Sequence, residues 1–319
     1  MKKVLLFDPA IGSINLGDHI ISAAAREALQ PLLQDSFVID MSTHTPIGIF
    51  YQKHFMQDID LKFVLGSNLL MGKLNGRFRQ WDINLISAKY IAPVILLGVG
   101  WWQVEQNWNH YTRRLYRRVL AGDYYHSVRD EMTKDRLNAM GFKNVINTGC
   151  PTTWSLTEAH CRDIPRSPAS AVVWTVTDYM PDLERDRFIF KVLKDVYDII
   201  YLWLQGSGDV NYAKNICGDD FQSLQLISPS LAAFDNFLSS HDTDYIGTRL
   251  HAGIRALQHR RRSLIIGIDH RAVEMKRDIN LPVLEHNELV DLPTYIKRDI
   301  QPFIKIPTAE IDRFLQQIF

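Results

Sequence analysis

The hydrophobic positions of this chain form short apolar runs, separated by longer stretches with helical periodicity. The runs are rich in β-branched residues, which is typical of parallel strands joined by crossover helices. In the first half, the predicted strands cover residues 4–7, 37–40, 63–65, 94–97, 124–128 and 144–146. In the second half, they cover residues 171–176, 198–204, 224–227, 244–246 and 264–268.

The two sets of runs indicate two Rossmann-like sheets in tandem, and the 319 residues are a suitable length for two domains. Residues 157–170 lie between the sets, contain Pro165 and Pro168, and show no periodicity, so they are a candidate linker. We therefore expect an α/β protein, with an N-terminal domain at residues 1–156 and a C-terminal domain at residues 171–319. The two Rossmann-like domains are expected to face each other across a cleft.

The end of the chain predicts one more helix, behind Pro307. Apolar residues recur there at helical spacing, so the helix should pack by one face: Ile311, Phe314, Leu315 and Ile318.

Composition excludes several classes of protein. Lys plus Arg and Asp plus Glu both number 36, so no global field would attract nucleic acid. Cys150, Cys161 and Cys217 form no CxxC pair, which indicates neither a disulfide framework nor a zinc site. No apolar stretch approaches the roughly 20 residues of a membrane span. We expect a soluble, cytoplasmic protein without a nucleic-acid partner, a transmembrane segment or a metal.

The first candidate site is the loop after the first strand, which contains Gly12, Asn15, Gly17 and Asp18. Its glycines permit a tight turn, and a helix that begins at Asp18 would direct free amides at a phosphate or carboxylate. A plain turn capped by Asp18 is the alternative. The loop is not GxGxxG, which argues against a nicotinamide cofactor.

Further candidate residues follow three later strands of the first half. Gly66-Ser67-Asn68 and the glycines of residues 98–100 end neighbouring strands, where open α/β sheets bind ligands. Arg129 also ends a predicted strand, where its guanidinium could hold an anion or pair locally with Asp130.

The most informative segment is residues 244–257, where a strand runs directly into Arg249 and His251 and then into a helix. Histidine titrates near neutrality, whereas arginine is a permanent cation with a planar fork for oxyanions. Residues two apart do not share a helix face, so both side chains reach a ligand only if the turn directs them there. A histidine satisfied by backbone is the structural alternative.

Two charged segments follow in the chain. Asp269, His270 and Arg271 come at the next strand end, on the ligand-facing edge or in a solvated loop. The basic run at residues 259–262 precedes that strand. It is either a solvated turn or a contact with a polyanion or membrane surface.

An aromatic-rich segment also has two interpretations. Its rings could stack on a sugar or pack in the core: Trp101, Trp102, Trp108 and Tyr111.

Taken together, these residues resemble the polysaccharide pyruvyl transferase family. The resemblance extends over nearly the whole chain, and the Arg-Leu-His element at residues 249–251 is its most specific part. The family commonly has a glycine triplet where this chain has Gly66-Ser67-Asn68. The supporting motifs are Gly12-x-x-Asn15-x-Gly17-Asp18, Ser127-Val128-Arg129-Asp130 and Gly149-Cys150-Pro151-Thr152.

The resemblance implies a GT-B-type fold and transfer of a pyruvyl group from phosphoenolpyruvate to two hydroxyls of a sugar, as a ketal. It implies that Arg249 holds the donor's phosphate or carboxylate, that His251 acts as acid or base, and that Arg129 is a second anion clamp. The acceptor would be a cell-surface glycan or its precursor, lipid-linked or free, and no cofactor would be needed. A nucleotide-sugar glycosyltransferase and a non-catalytic carbohydrate-binding relative stay open as alternatives.

Overall fold

The structure, a computed structural model, describes residues 1–46, 48, 58–104 and 107–319. It divides into two compact units. The first consists of Met1–Ser13, Ile21–Trp154 and Pro307–Phe319, and the second of Ile14–Ile20 and Ser155–Ile306. No helix within the described ranges is both long and apolar enough to cross a membrane.

The first unit is built on short parallel strands. They are β1 (Lys2–Asp8), β2 (Ser36–Ser42), β3 (Leu61–Leu65), β4 (Ile95–Leu97), β5 (His126–Val128) and β6 (Val145–Asn147). One sheet has the order β2-β1-β3-β4, and β5 pairs with β6. All of β3 and β4 is buried, as expected for parallel strands that are covered on both faces.

Side chains replace part of the backbone ladder between β4 and β5. The N–H of Leu96 donates to Nδ1 of His126 (3.2 Å), and the N–H of Gly98 donates to the Ser127 hydroxyl (2.8 Å). Since Nδ1 accepts, the proton lies on Nε2, which donates to the carbonyl of Ala121 (2.9 Å). Burial lowers the pKa of His126 to about 4, so the imidazole is neutral at pH 7.

The second unit contains one six-stranded parallel sheet. Its strands are β7 (Ala171–Thr175), β8 (Ile199–Trp203), β9 (Gln225–Ile227), β10 (Asp244–Gly247), β11 (Ser263–Ile266) and β12 (Val283–Leu284). Their order is β12-β11-β10-β7-β8-β9, the 3-2-1-4-5-6 order of the Rossmann fold. The order reverses between β7 and β10, and sheets of this type bind ligands at the carboxyl ends of the strands at this point.

Helices connect these strands. They are α1 (Leu16–Ala28), α2 (Gln30–Leu33), α3 (Ala88–Ile91), α4 (His110–Val119), α5 (Glu131–Ala139), α6 (Glu158–Arg162), α7 (Leu183–Val196), α8 (Asp209–Cys217), α9 (Leu231–Ser240), α10 (Leu250–Gln258), α11 (His270–Ile279), α12 (Leu292–Lys297) and α13 (Thr308–Gln316). Side chains cap several of them at the N-terminus, as Asp182 does by accepting the N–H of Arg185 (3.0 Å).

The final helix, α13, forms where the sequence predicted it. Ile311, Phe314 and Ile318 are buried, and Phe314 packs in the same apolar cluster as Val4 and Leu6 of β1. Residues 307–319 therefore group with the first unit and not with the second, to which the sequence assigned them.

The expected linker also differs from its prediction. Residues 157–170 contain α6 and group with the second unit. Arg166 donates to Gln301 (2.6 Å), and its carbonyl accepts the N–H of Ile300 (3.0 Å). A segment without periodicity can be fixed by such distant contacts, which its own sequence does not reveal.

Acid should destabilise the first unit through His126. The folded pKa of about 4 lies below the ordinary 6.5, so the unfolded chain binds the proton first. The stabilisation is complete above pH 6.5 and is lost as the pH falls through 4; it amounts to about 3 kcal/mol. In urea unfolding, His126→Asn should be less stable than wild type at pH 7, and the difference should narrow towards pH 4.

The control is His110→Asn, because His110 is exposed on α4. It should keep the pH dependence of the wild type. Equal pH slopes for His126→Asn and the wild type would contradict the titration of His126.

Candidate active site

The turn after β10 places Arg249 at the N-cap of α10 and His251 in the first turn of that helix. Both are buried, with exposures of 3% and 4%. The helix lies close against the sheet because Gly253 has no side chain. A Cβ at Gly253 would come within 2.4 Å of Ile265 and 2.8 Å of Tyr245. This close packing fixes the position of the turn between β10 and α10, which carries Arg249.

The Arg249 guanidinium is held by two neighbouring segments, residues 176–179 and the loop that ends at Asp209. Nε donates to the carbonyl of Val176 (2.9 Å), and Nη2 donates to Asp178 Oδ1 (3.1 Å) and to Asp209 Oδ1. The ring centroid of Tyr179 lies 5.0 Å from the guanidinium carbon, a cation–π distance. A fixed cation therefore lies at the carboxyl ends of β7 and β10, where the strand order reverses.

Asp209 is the fully buried partner of Arg249. Its Oδ2 accepts the N–H groups of Gly206 (2.8 Å) and Gln205 (3.2 Å), and its Oδ1 accepts the N–H of Asp178 (3.2 Å). Burial raises the pKa of Asp209, while the Arg249 guanidinium and the backbone amides act in the opposite direction. A Cβ on Gly206 would come within 2.5 Å of Arg249 Nη2, so a larger residue there would push the guanidinium out of this position.

The sequence-based prediction did not include this loop or Asp178. The signal was present, since Gly206-Ser207-Gly208 follows an apolar run and precedes Asp209 and a helix. Asp178 likewise follows the predicted strand at residues 171–176. The pairing of both carboxylates with Arg249 depends on the strand order, which the sequence does not contain.

The loop with Asn15 lies against the same segment. Helix α1 begins at Leu16 and not at Asp18, because Asn15 supplies the cap by accepting the N–H of Gly17 (3.1 Å). Asn15 also accepts an N–H of the Gln205 amide (3.0 Å), and the Leu16 N–H donates to the Gln205 carbonyl (2.9 Å). Of the residues predicted in this loop, Asn15 and Gly17 thus lie beside the segment that holds Asp209, and Asp18 accepts an N–H of the Asn15 amide (3.4 Å).

Asp269 and Arg271 form another charged pair in this unit. Asp269 caps α11, and Arg271 Nε donates to its Oδ2 (2.9 Å). Arg271 Nη2 also donates to the hydroxyl of Tyr179 (2.8 Å). Tyr179 therefore contacts both arginines, while His270 is the half-buried first residue of α11.

In the first unit, the structure brings Arg129 and Asn68 together. Arg129 Nη2 donates to Asn68 Oδ1 (2.7 Å) and to Asp130 Oδ2 (3.2 Å), and its side chain is 1% exposed. A Cβ on Gly100 would come within 2.3 Å of Arg129 Nη2. The loops after β3, β4 and β5 thus meet around one cation, which also makes the local pair with Asp130.

Positive φ angles shape two of the predicted loops in this unit. Gly66 and Ser67 have φ of +41° and +61°, and a Cβ on Gly66 would come within 2.2 Å of Ile21. Gly12 has φ of +75°. Among the described residues, no atom beyond Gly12 and its two chain neighbours lies within 4 Å of the place where a Cβ would be, so glycine is favoured there by the backbone conformation alone.

Packing accounts for the aromatic segment. Trp101 is fully buried in the core of the first unit, and the other three rings pack against that core while partly exposed: Trp102, Trp108 and Tyr111. These contacts correspond to the packing interpretation, and Trp102 also contacts Phe78, with ring centroids 5.1 Å apart.

Intramolecular pairs account for the basic run at residues 259–262. Arg262 donates to Asp244 Oδ2 (2.6 Å) and to the carbonyl of Ile296 (2.7 Å). Arg260 pairs with Asp163 (3.2 Å), and Arg261 donates to the carbonyl of Leu238 (2.7 Å). The arginines of this run therefore connect different segments of the second unit to one another.

Comparison with protein families identifies one match. The model described as polysaccharide pyruvyl transferase matches residues 15–270. That range contains Arg129, Asp178, Asp209, Arg249 and His251. A comparison with curated proteins found no match.

Solved structures with a similar fold include two UDP-GlcNAc 2-epimerases and MnaA of S. aureus. A UDP-GlcNAc 2-epimerase from Methanocaldococcus jannaschii shares 13% identity over 99% of this chain and 98% of its own, with a TM-score of 0.57. MnaA of S. aureus, in a structure with UDP, shares 10% sequence identity over 100% of this chain and 96% of its own, with a TM-score of 0.56. UDP-GlcNAc 2-epimerase from Neisseria meningitidis, bound to UDP-GlcNAc, shares 14% sequence identity over 99% of this chain and 100% of its own, with a TM-score of 0.50. At these identities the likeness shows the fold alone, and it confirms the predicted GT-B type.

Removing the charge of Asp209 should destabilise the second unit. Asp209→Asn leaves a buried guanidinium with one carboxylate fewer and turns an amide group towards backbone N–H donors. We expect the free energy of unfolding to fall by about 3 kcal/mol, measured by urea denaturation. Asp219→Asn, at an exposed position, should change it by less than about 0.5 kcal/mol. Equal stability of the two variants would contradict the structural role of the Arg249–Asp209 pair.

Proposed function

Since the chain belongs to the polysaccharide pyruvyl transferase family, we propose that it transfers a pyruvyl group from phosphoenolpyruvate to two hydroxyls of a sugar, as a ketal. The observation that carries this proposal is the position of Arg249. It places a buried cation at the reversal point of the second sheet, within the range that the family model matches. A donor with a phosphate and a carboxylate needs such a cation.

The proposed chemistry begins with proton transfer to the donor. His251, two residues after Arg249, protonates the methylene carbon of phosphoenolpyruvate, which makes C2 electrophilic. One sugar hydroxyl adds to C2, and a second displaces phosphate, so two C–O bonds form and the bond from C2 to the phosphate oxygen breaks. Of the two hydroxyl protons, one replaces the proton that His251 gave and the other leaves with phosphate.

Arg249 has the electrostatic role in this proposal. Its guanidinium binds an oxyanion of the donor and stabilises the charge that develops as phosphate leaves. Arg129 is the proposed second anion clamp, since it too is a buried arginine at a strand end, beside Asn68. No step of this chemistry requires a metal or a cofactor.

The acceptor in this proposal is a sugar of a cell-surface glycan or of its precursor, lipid-linked or free. The sugar offers two hydroxyls close enough to bridge one carbon. We propose that the reaction takes place in the cytoplasm, where phosphoenolpyruvate is made.

Calorimetric titration tests the choice of donor. We expect the protein to bind phosphoenolpyruvate and to release phosphate when an acceptor sugar is added. Heat with UDP- or GDP-sugars, and none with phosphoenolpyruvate at millimolar concentration, would instead indicate a nucleotide-sugar glycosyltransferase.

Variants of the Arg-Leu-His element separate catalysis from binding. His251→Gln should lower turnover by roughly 10² to 10⁴ with little change in donor affinity, because it removes a proton donor. Arg249→Lys should weaken donor binding as well as turnover, because it loses the bidentate fork. Steady-state kinetics, donor titration and a thermal melt would be recorded for each variant.

The matched control is His110→Gln on the exposed surface of the first unit, which should retain wild-type kinetics. Near-normal turnover of His251→Gln would remove His251 from the proton-transfer step. A lower melting temperature without a kinetic defect would identify it as a structural histidine.

A further inference from the structure

Two carboxylates of very different exposure share the Arg249 guanidinium. The Asp209 side chain is 0% exposed, and its oxygens also accept backbone N–H groups. The Asp178 side chain is 34% exposed, and its carboxylate makes an ion pair with Arg249 at 3.1 Å. Asp209 is therefore the enclosed counterion of Arg249, and Asp178 is the one that solvent reaches.

The carboxylate of Asp178 occupies a space that a glycine keeps open. A Cβ on Gly208 would come within 2.0 Å of Asp178 Oδ2 and 2.9 Å of its Cγ. Gly208 and the Arg249 guanidinium thus both lie directly against this small oxyanion. In this structure that oxyanion belongs to the protein itself.

The position of this oxyanion coincides with the ligand-binding point of the fold class. Asp178 follows β7 and Arg249 follows β10, and these are the two strands between which the order reverses. An anionic ligand that reaches Arg249 there meets the charge of Asp178 directly.

We propose that Asp178 competes with the donor for Arg249. Its carboxylate occupies the position on the Arg249 guanidinium that an oxyanion of the donor takes when the donor binds. This inference rests on the proposed function, because it identifies the displaced group with the carboxylate or phosphate of phosphoenolpyruvate. The charges require the exchange. Arg249 carries one positive charge and already faces two carboxylates, so a further anion is repelled unless Asp178 moves away.

Removing the charge of Asp178 should strengthen donor binding, although most substitutions of a residue in a binding site weaken it. In calorimetric titrations, Asp178→Asn should bind phosphoenolpyruvate about fivefold more tightly than the wild type, the gain expected from releasing a partly exposed ion pair. Asp178→Ala should act in the same direction if the asparagine variant folds poorly. Asp178→Glu keeps the charge and should not gain affinity.

The matched control is Asp198→Asn in the same unit, because Asp198 is exposed. It should bind phosphoenolpyruvate as the wild type does. Unchanged or weaker binding by both Asp178→Asn and Asp178→Ala, in a wild-type protein that binds the donor, would overturn the competition while leaving the proposed function intact.

The shift in melting temperature caused by inorganic phosphate tests the role of Asp178 separately from the choice of phosphoenolpyruvate as donor. If the wild type does not bind phosphoenolpyruvate, the proposed donor is wrong. A larger phosphate-induced rise in melting temperature for Asp178→Asn than for the wild type would still support an oxyanion site occupied by Asp178. Equal shifts for the two proteins would overturn it.

Discussion

The buried ion pair between Arg249 and Asp209 is the interaction on which the rest of the candidate site depends. Removing a charge from water costs free energy unless the charge is paired and hydrogen-bonded. Here the Arg249 guanidinium and the Asp209 carboxylate pair with each other and share a hydrogen bond. Arg249 also binds the carbonyl of Val176, and Asp209 also accepts the amides of Gln205 and Gly206. The pair thus joins the segments that follow β7, β8 and β10 into one fixed structure.

This arrangement requires close approach, which glycine provides. Gly253 lets α10 lie on the sheet, Gly206 admits the Arg249 guanidinium, and Gly208 admits the Asp178 carboxylate. A side chain at Gly206 or Gly208 would displace a charged group of the site, and one at Gly253 would clash with Ile265 and Tyr245 and so push α10 away from the sheet. The glycines therefore act here through the volume they leave free, since none of the three has a positive φ.

The sequence predicted much of the framework, because apolar runs and helical spacing are local signals. It placed the strands near their observed positions and the final helix on the correct apolar face, around Phe314. It also placed Arg249 and His251 in a turn between a strand and a helix. It missed β12, since Val283–Leu284 is too short to form a recognisable apolar run.

What the sequence could not provide were the partners. Asp178 and Asp209 contact Arg249 only because β7, β8 and β10 are arranged in a particular order. Likewise, the packing of α13 in the core of the first unit depends on the three-dimensional position of residues far apart in the chain. Site residues that are recognised alone thus appear as free cations, whereas the folded chain shows them already paired.

Above all, we propose that Arg249 binds the anionic donor at the reversal point of the second sheet. A crystal structure of the protein soaked with phosphoenolpyruvate would test it most directly. We expect density for the donor on the Arg249 guanidinium, with Asp209 still paired and the Asp178 carboxylate moved away. Donor density elsewhere, with Arg249 still bound to both carboxylates, would contradict it.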